Sequence, residues 1–518
     1  MPLVTVDSIL NTDNPLIRLH RNDNVVIARV SVSAGATIEF ENHEIVISSS
    51  VAAGHKVAVS DISQGSAVFK YGENIGTASA DIHVGDLVHV HNLDFDLSGR
   101  KFEFATTLND LSDIPLLPEQ TFQGYPRADG RVGTRNYVAI IAASNCSAYA
   151  VQQVEAAFQN ESFGNSGIDG VVCFPHADGC GQVEGRDMQI LRRTLDGVGN
   201  HPNVAAAVMV GLGCETNQIS YYTRSEDASD TRTSQRGLTL QESGGTRRAV
   251  QDSIKAVWEL IDEIGDIERV DCPASKLVAA LECGGSDGFS GVTSNPAVGY
   301  FSDLLVKQGG TVCLAETPEI CGAEHLLTCR AANKSVGDEL LRMVDWYQNY
   351  IASFPDAPTV GCDIEPGNKA GGLTNIVEKS LGAVAKAGTS NLMAVYDYAE
   401  RIDQAGFVFM NTPGYDPPSV TGMAAGGCNV CFFTTGRGSC FGFPTVPVIK
   451  VASNSKTGSH MEEDMDIDAG VISDGKGTVE EVGAAMYGFA LEVASGRKTF
   501  SESMGHREFV TWRQGPVL

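Results

Sequence analysis

Nothing in this sequence approaches the ~18 consecutive apolar residues that a membrane-spanning helix needs. Its opening residues, Met1 to Leu10, show no basic patch followed by an apolar run, so a secretory signal is not expected. Basic residues are scarce: 37 Lys and Arg face 64 Asp and Glu, a formal net charge of −27. A surface that acidic repels nucleic acid and anionic membrane, which excludes both as expected partners. It also repels a carboxylate at long range, so a site for one must carry its own Lys, Arg or metal charge. No G-x-G-x-x-G links a strand to a helix, which counts against a dinucleotide-dependent oxidoreductase. No repeat with a period of about 20–50 residues is visible either. The 13 Cys are odd in number and scattered. They fit no disulfide framework of a small secreted domain and read as reduced thiols, packing residues or metal ligands in a cytoplasmic protein.

What is present divides into blocks, and 518 residues make roughly three folding units a reasonable expectation. Residues 1–98 read as a small all-β module, with short strands around Asn24–Val32, Glu44–Ser48, His55–Val59, Ala67–Tyr71 and Leu87–His91 punctuated by Gly and Asn. Residues 99–124, rich in Asp, Leu and Pro, read as a linker. From there, apolar runs alternate with helical segments, the pattern of α/β layers with mostly parallel sheet. This α/β region is expected over 125–270 and 271–518. A polar stretch, Thr223 to Ser243, has the look of an insertion.

Four cysteines share one context, an apolar run followed by Gly or small polar residues: Cys146, Cys180, Cys214 and Cys283. Loops at the carboxyl ends of parallel strands open on one edge, where ligands bind. Thiols on such loops can converge, and convergent thiolates suit zinc or an iron–sulfur cluster. None of the four has a C-x-x-C partner, and buried Cys is an ordinary small hydrophobe. Cys173, Cys313, Cys362, Cys431 and Cys440 are expected to be packing residues.

Other segments carry chemistry. Lys369 lies in the Gly-rich Pro366–Gly372 segment, ahead of a helix with Glu378, Lys379 and Lys386; Arg437 follows a strand and offers a bidentate carboxylate clamp. Glu316 and Glu319 also follow a strand and suit metal binding or proton transfer. His89 and His91 alternate along a strand, which places both imidazoles on one side. His20 and His55 stand at turn–strand junctions, where a structural role is common. Taken singly, each Lys or Arg reads as a surface charge and each Gly run as a turn; together they describe a site for a small anionic ligand.

Several segments together resemble one family. They include His20-Arg-Asn-Asp-Asn-Val, Gly54-His-Lys, His89-Val-His-Asn, Arg131-Val-Gly-Thr-Arg-Asn, Gly211-Leu-Gly-Cys-Glu, Glu282-Cys-Gly-Gly-Ser-Asp-Gly, Pro366-Gly-Asn-Lys-Ala-Gly-Gly and Thr434-Thr-Gly-Arg-Gly. In this order they resemble the altronate and galactarate dehydratases, and the His-x-His-Asn of 89–92 resembles the altronate branch. The resemblance implies an N-terminal SAF-type β domain, an α/β catalytic region, a sugar-acid substrate and iron, as Fe(II) or as a cluster. It implies catalytic roles for His89, His91, Lys369 and Lys379. Around the substrate it implies His20, His55, Arg135, Asn136, Ser286, Asp287, Asn368 and Arg437. The iron ligands are expected among Cys146, Cys180, Cys214, Cys283 and Glu316. A homo-oligomer is compatible with all of this. A related class cleaves sulfolactate, so the leaving group stays open, and a carbohydrate-binding protein without turnover is the non-enzymatic alternative.

Overall fold

The computed structural model describes residues 14–97, 100–164, 166–222, 233–354 and 364–514. Cys362 lies outside them, as do residues 223–232 of the polar stretch.

The N-terminal module is all β. Leu16–Ile17, Val25–Ala28, Lys56–Ala58 and Leu87–Val88 form a four-stranded antiparallel sheet in that order. Ala67–Lys70, Glu73–Ala78 and Leu93–Asp94 form a second, and Thr37–Phe40 with His43–Val46 a hairpin. Alternation writes these strands: in Thr37–Phe40 the residues run exposed, buried, exposed, buried. One consequence departs from expectation. The strand stops at Val88, and His89 to Asn92 form a turn closed by Asn92 N–H donating to the His89 carbonyl (3.0 Å). Strand alternation therefore does not govern His89 and His91.

The linker is not free. Ala105 and Thr106 N–H donate to carbonyls of Thr328 and Cys329, Asn109 bonds Thr389 and Asn391, and Leu111 and Ile114 are buried. Thr121–Pro126 then pairs antiparallel with Val270–Pro273, a strand that bridges the two α/β units.

The first α/β unit holds four parallel strands in the order Gly170–Phe174, Tyr137–Ala142, Val204–Gly211, Ser234–Thr239. The described half of the polar stretch is thus the edge strand of this sheet. Ala148–Phe158, Arg186–Gly199 and Thr246–Ile264 are its helices. The second unit is a seven-stranded parallel sheet in the order Leu392–Tyr396, Gly406–Met410, Thr311–Leu314, Val278–Cys283, Val430–Thr435, Val448–Ala452, Ile467–Asp468. Its central strands are continuously buried apolar runs, because helices cover both faces. Phe301, on helix Ser294–Lys307, meets Phe432 of the sheet at 4.2 Å between ring centroids. The expected architecture, a β module followed by mostly parallel α/β layers, is what the chain forms. No helix among the described residues is long and apolar enough to cross a membrane.

Candidate active site

The carboxyl ends of the central strands of the seven-stranded sheet deliver a buried set of ionisable groups. Cys283 ends one strand, and Glu316 stands two residues beyond the next, fully buried with φ +65. A non-glycine residue in the left-handed region is strained, and such strain persists where surroundings over-determine it. Here the backbone N–H of Glu316 donates to Thr412 Oγ1 (2.8 Å). The Cys283 thiol donates to Glu316 Oε2 (3.3 Å) and Glu319 Oε2 (3.1 Å). Lys379 Nζ reaches Glu319 Oε1 at 2.6 Å, and Lys386 Nζ reaches Glu316 Oε2 at 3.2 Å. Glu282, Glu316 and Asp416 form an adjoining carboxylate group, with Ser419 Oγ donating to Glu282 Oε2 (2.8 Å).

Four carboxyls and a thiol thus share two ammoniums in a water-poor site. Burial, and after it the neighbouring Glu316 and Glu319, drives the Cys283 thiol well above its ordinary value. Burial, Glu316 and Asp416 do the same to Glu282. Asp416 is raised to about 7 by burial and then by Glu316 and Glu319. Burial opposes the charge of Lys379 and Lys386, but the surrounding acids outweigh it and hold both above the usual lysine value. Glu282 Oε1 and Glu316 Oε1 have no hydrogen-bond partner, so negative charge remains for protons or a cation to balance.

The β module closes over this edge. Gly54 packs against the Gly371–Gly372 turn and Phe289, and Gly288 N–H donates to the Gly371 carbonyl (2.8 Å). A Cβ on Gly288 would lie 1.9 Å from the Gly54 carbonyl oxygen, so only glycine permits the approach. Lys56 Nζ donates to both oxygens of Glu378 (3.0 and 2.9 Å) and to the Gly372 carbonyl (2.8 Å), and Lys70 Nζ donates to Glu378 Oε1 (2.8 Å). These contacts bring His55 and His89 in, stacked with centroids 5.4 Å apart. His89 Nε2 bonds the Lys369 carbonyl (3.0 Å), which fixes Nε2 as the protonated nitrogen and leaves Nδ1 as the basic atom. Burial lowers the values of both His55 and His89, so both rings are neutral at pH 7. Glu365, at the start of the Pro366–Ala370 helix that carries Lys369, reaches Lys379 at 3.4 Å. The Glu365–Ala370 segment therefore touches both groups, His89 through the Lys369 carbonyl and the Lys379–Glu319–Cys283 cluster through the Glu365 carboxylate.

Some expected residues fall elsewhere. His91 is exposed in the turn, with His89 alone facing the second unit; Asn92 Oδ1 accepts the His89 N–H (2.9 Å) and holds that turn. His20 lies over Gly72 within its own module and accepts from Asn22 N–H. Arg135 spends all five N–H donors on Glu502 and on the carbonyls of Thr134, Val493 and Arg497, so none remains for a substrate carboxylate. Asn136 is likewise committed to Arg127 and the Gly167 carbonyl. Asp287 accepts from Phe289, Ser290, Ser453 and Asn454 and serves as a loop staple. Asn368 ties the Ser286 carbonyl to the Pro366–Ala370 helix, so both are spent on holding that helix in place. The segment read as a Gly-rich loop is that helix. Arg437 is exposed on the rim, its backbone N–H bound to the Gly285 carbonyl (3.0 Å). The four thiols do not converge: Cys146, Cys180 and Cys214 belong to the four-stranded sheet, whereas Cys283 and Glu316 belong to the seven-stranded one. Cys440, expected to pack, is exposed.

Sequence reasoning missed Asp416, Lys56 and Lys70. Asp416 opens helix Asp416–Ala425 with Pro417 and Pro418 behind it, a helix-start signal that could have been read. The lysines left no signal, since a Lys in a strand ordinarily reads as solvated.

An edge of parallel strands that presents buried acids, paired lysines and neutral imidazoles beneath a β cap defines an enzyme built for proton transfer on a small polar substrate. Comparison with known proteins agrees. The D-galactarate/altronate dehydratase C-terminal model matches residues 274–517, the D-galactarate dehydratase/altronate hydrolase second-domain model residues 124–265, and the altronate/galactarate dehydratase SAF domain residues 14–96. An altronate dehydratase of Escherichia coli (strain K12) is 34% identical over 97% of this chain and 99% of its own length. A galactarate dehydratase (L-threo-forming) of the same organism is 36% identical over 97% of each. The (2R)-sulfolactate sulfo-lyase subunit beta of Chromohalobacter salexigens is 34% identical over 77% of this chain and 98% of its own length. The chain belongs to the altronate/galactarate dehydratase family and is an enzyme of the hydro-lyase class.

Proposed function

We propose that the protein dehydrates a six-carbon sugar acid, altronate foremost, to its 2-keto-3-deoxy product. The observation that carries this reading is the buried cluster of acids and lysines around Glu316 and Glu319, with the two imidazoles of the β module beside the segment that adjoins it. Loss of water from a 2,3-dihydroxy acid takes the proton from C2 and the hydroxyl from C3. The C2–H electron pair becomes the C2–C3 double bond, and the enol tautomerises to the ketone. Proton loss beside a carboxylate builds a second negative charge there, and stabilising it is the main demand on the site. Lys379 and Lys386 supply fixed positive charge in a water-poor setting, and Arg437 on the rim meets the arriving carboxylate. His89 Nδ1 is the basic atom, presented by the Asn92 turn and the Lys369 carbonyl. Asp416, beside Glu316, is placed to hand a proton to the departing hydroxyl.

Iron, implied by the family resemblance, fits the donor set. Cys283 Sγ and carboxylate oxygens of Glu316 and Glu319 lie within 4.8 Å of one another, and Glu316 keeps one oxygen without a partner. These residues would hold it, and bound there it supplies Lewis-acid charge to a substrate oxygen. The His-x-His-Asn turn favours the altronate branch, although the identities to altronate and galactarate dehydratases are nearly equal. The test is an anaerobic assay with added Fe(II) on altronate, galactarate, related aldonates and sulfolactate, following 2-keto-3-deoxy acid formation and sulfite release. Altronate turnover supports the reading. Galactarate alone would reassign the branch, sulfite release would change the leaving group, and silence throughout would overturn the proposal.

A further inference from the structure

A cavity of about 350 Å³ lies where the β module meets the catalytic unit. Strand Glu73–Ala78, with Phe95, Asp96, Arg100 and Lys101, walls one side; Gly322, His325 and helix Ile376–Ala383 wall the other. Asn375 Nδ2 donates to the Ile75 carbonyl (2.9 Å), so strand and helix touch at its edge. Val377 and Leu381, four residues apart, form one stripe of that helix, and at about 100° per residue Lys379 leaves on the opposite side. The cavity and the acid cluster around Glu319 thus lie on two sides of one helix. The floor is apolar: Ile75, Val377 and Leu381 are buried, with Phe95 packed beside them. The walls carry both signs of charge, Glu73 and Asp96 against Arg100 and Lys101. Glu73 Oε2 accepts from His325 Nε2 (3.3 Å) across the joint between the two bodies. Arg100 Nη1 donates to the Gly322 carbonyl, and Glu324, which accepts from Gly322 N–H (2.8 Å), stands 3.6 Å from the guanidinium. Gly322, at φ +95, makes room for this: a Cβ there would lie 3.0 Å from Val377 Cγ2 and 3.1 Å from both terminal nitrogens of Arg100. Asp96 has an interaction of its own, and Lys101 is exposed.

The volume falls at the small end of ligand pockets, which run from about 300 to 1,000 Å³. Two acids and two bases on one lining oppose any ligand of a single sign as much as they attract it. A polyol is no better suited, since hydroxyls laid on an apolar floor find no partners there. A zwitterion with an aliphatic body answers every part of the lining. We propose that this cavity is a binding site for a small apolar α-amino acid. Its carboxylate lies against Arg100 and Lys101, its ammonium against Glu73 and Asp96, and its side chain on Ile75, Val377 and Leu381. A sugar acid has neither the ammonium nor the aliphatic body, so the ligand of this cavity is not the substrate of the catalytic edge. The occupant touches the β module and the catalytic unit at once. By mass action it stabilises the docked arrangement over the undocked one, which makes it an effector of the joint above the active site. The inference does not depend on which sugar acid is turned over.

The test uses the full chain and L-leucine, with 4-methylpentanoate and isopentylamine as the same carbon skeleton lacking the ammonium or the carboxylate. Calorimetry gives the Kd, and hydrogen exchange read by mass spectrometry follows residues 73–78, 322–328 and 372–378. At leucine ten times its Kd, exchange of these peptides through undocking should slow about tenfold, with the four-stranded sheet unaffected. Neither half-molecule should protect them at the same concentration. Lys101→Glu, at an exposed position that folding tolerates, and Arg100→Ala should each weaken leucine binding about tenfold or more. His89→Ala should bind leucine as the wild-type protein does. The proposal is overturned if leucine binds no tighter than a Kd of about 10 mM, or if either half-molecule protects as well as leucine. It is equally overturned by undiminished binding in Lys101→Glu, or by loss of binding in His89→Ala, which would move the ligand to the catalytic edge.

Discussion

Replacing Glu378 with Gln should release the β module from the catalytic unit. Its carboxylate is the shared counter-charge of Lys56 and Lys70, and the three side chains are 0%, 0% and 1% exposed for Glu378, Lys56 and Lys70. Oε1 accepts from both lysines; Oε2 accepts from Lys56 and from the Thr374 N–H and hydroxyl. An amide keeps one acceptor and turns a donor toward donors. Breaking a buried ion pair by removing one partner costs about 3–5 kcal/mol, and here one partner serves two cations. Lys56 limits the loss, because burial already lowers its value to about 8 and it can shed its proton near neutrality. Taking ~3 kcal/mol as the result, amide exchange along the interface, at residues 54–58 and 372–378, should accelerate about 100-fold. Hydrogen exchange read by mass spectrometry measures this peptide by peptide, with the four-stranded sheet as an internal control. Acceleration below about tenfold would refute the argument that this carboxylate holds two charged lysines. Acidity supplies a second check. Burial opposes the Glu378 charge, but Lys56 and Lys70 prevail and hold its folded value below the unfolded one. A depressed carboxyl stabilises above its unfolded value and loses that contribution only as pH falls through the folded value. Docking in the wild-type protein should therefore be equally protected at pH 7 and pH 5.

Three further outcomes follow from the same geometry. His89→Ala should lower kcat about 10²–10⁴-fold, while His91→Ala, exposed in the same turn, should leave kcat/KM within about threefold. Because burial raises Asp416 to about 7 and lowers His89, kcat/KM should rise as pH falls through about 7, where Asp416 gains the proton it donates, and fall again below about 6.5, as the His89 ring gains its own. Arg135→Lys should cost about 1–3 kcal/mol, read as a lower thermal midpoint, with KM unchanged, since the guanidinium binds Glu502 and carbonyls. Gly288→Ala should cost about 1–3 kcal/mol through overpacking against Gly54 and reduce activity, whereas Gly367→Ala, with nothing within 4 Å, should leave both unchanged.

Periodicity carried most of the fold. Buried runs such as Val430–Thr435 and Gly406–Met410 lie where apolar stretches and flanking glycines place them, and Cys283, Glu316 and Glu319 are legible as strand-end chemistry. What sequence order does not carry is which sheet a strand joins. Cys283 resembles Cys214 in local context, yet Val278–Cys283 pairs with Thr311–Leu314 and Val430–Thr435, and that pairing alone separates it from the other thiols. Arg135 and Asn136 were misread because a motif shared with a family is as often architectural as chemical; here it fastens the first unit to the Glu502 helix. The alternation argument for His89 and His91 failed by one residue, where Asn92 turns the chain.

Helix Ile376–Ala383 has one further consequence, in time rather than space. The β module is made first, but Glu378 follows Lys56 by 322 residues and Lys70 by 308. At about 5–20 residues per second, roughly 15 s to a minute passes between the lysines and their counter-charge. Throughout that interval the nascent module must keep both ammoniums in water, so its docking face stays wet and unsealed. The next residue along the chain, Lys379, brings the acid pocket the first of its two ammoniums. One short helix therefore marks the point in synthesis at which the cap can close and the site beneath it can acquire its charge.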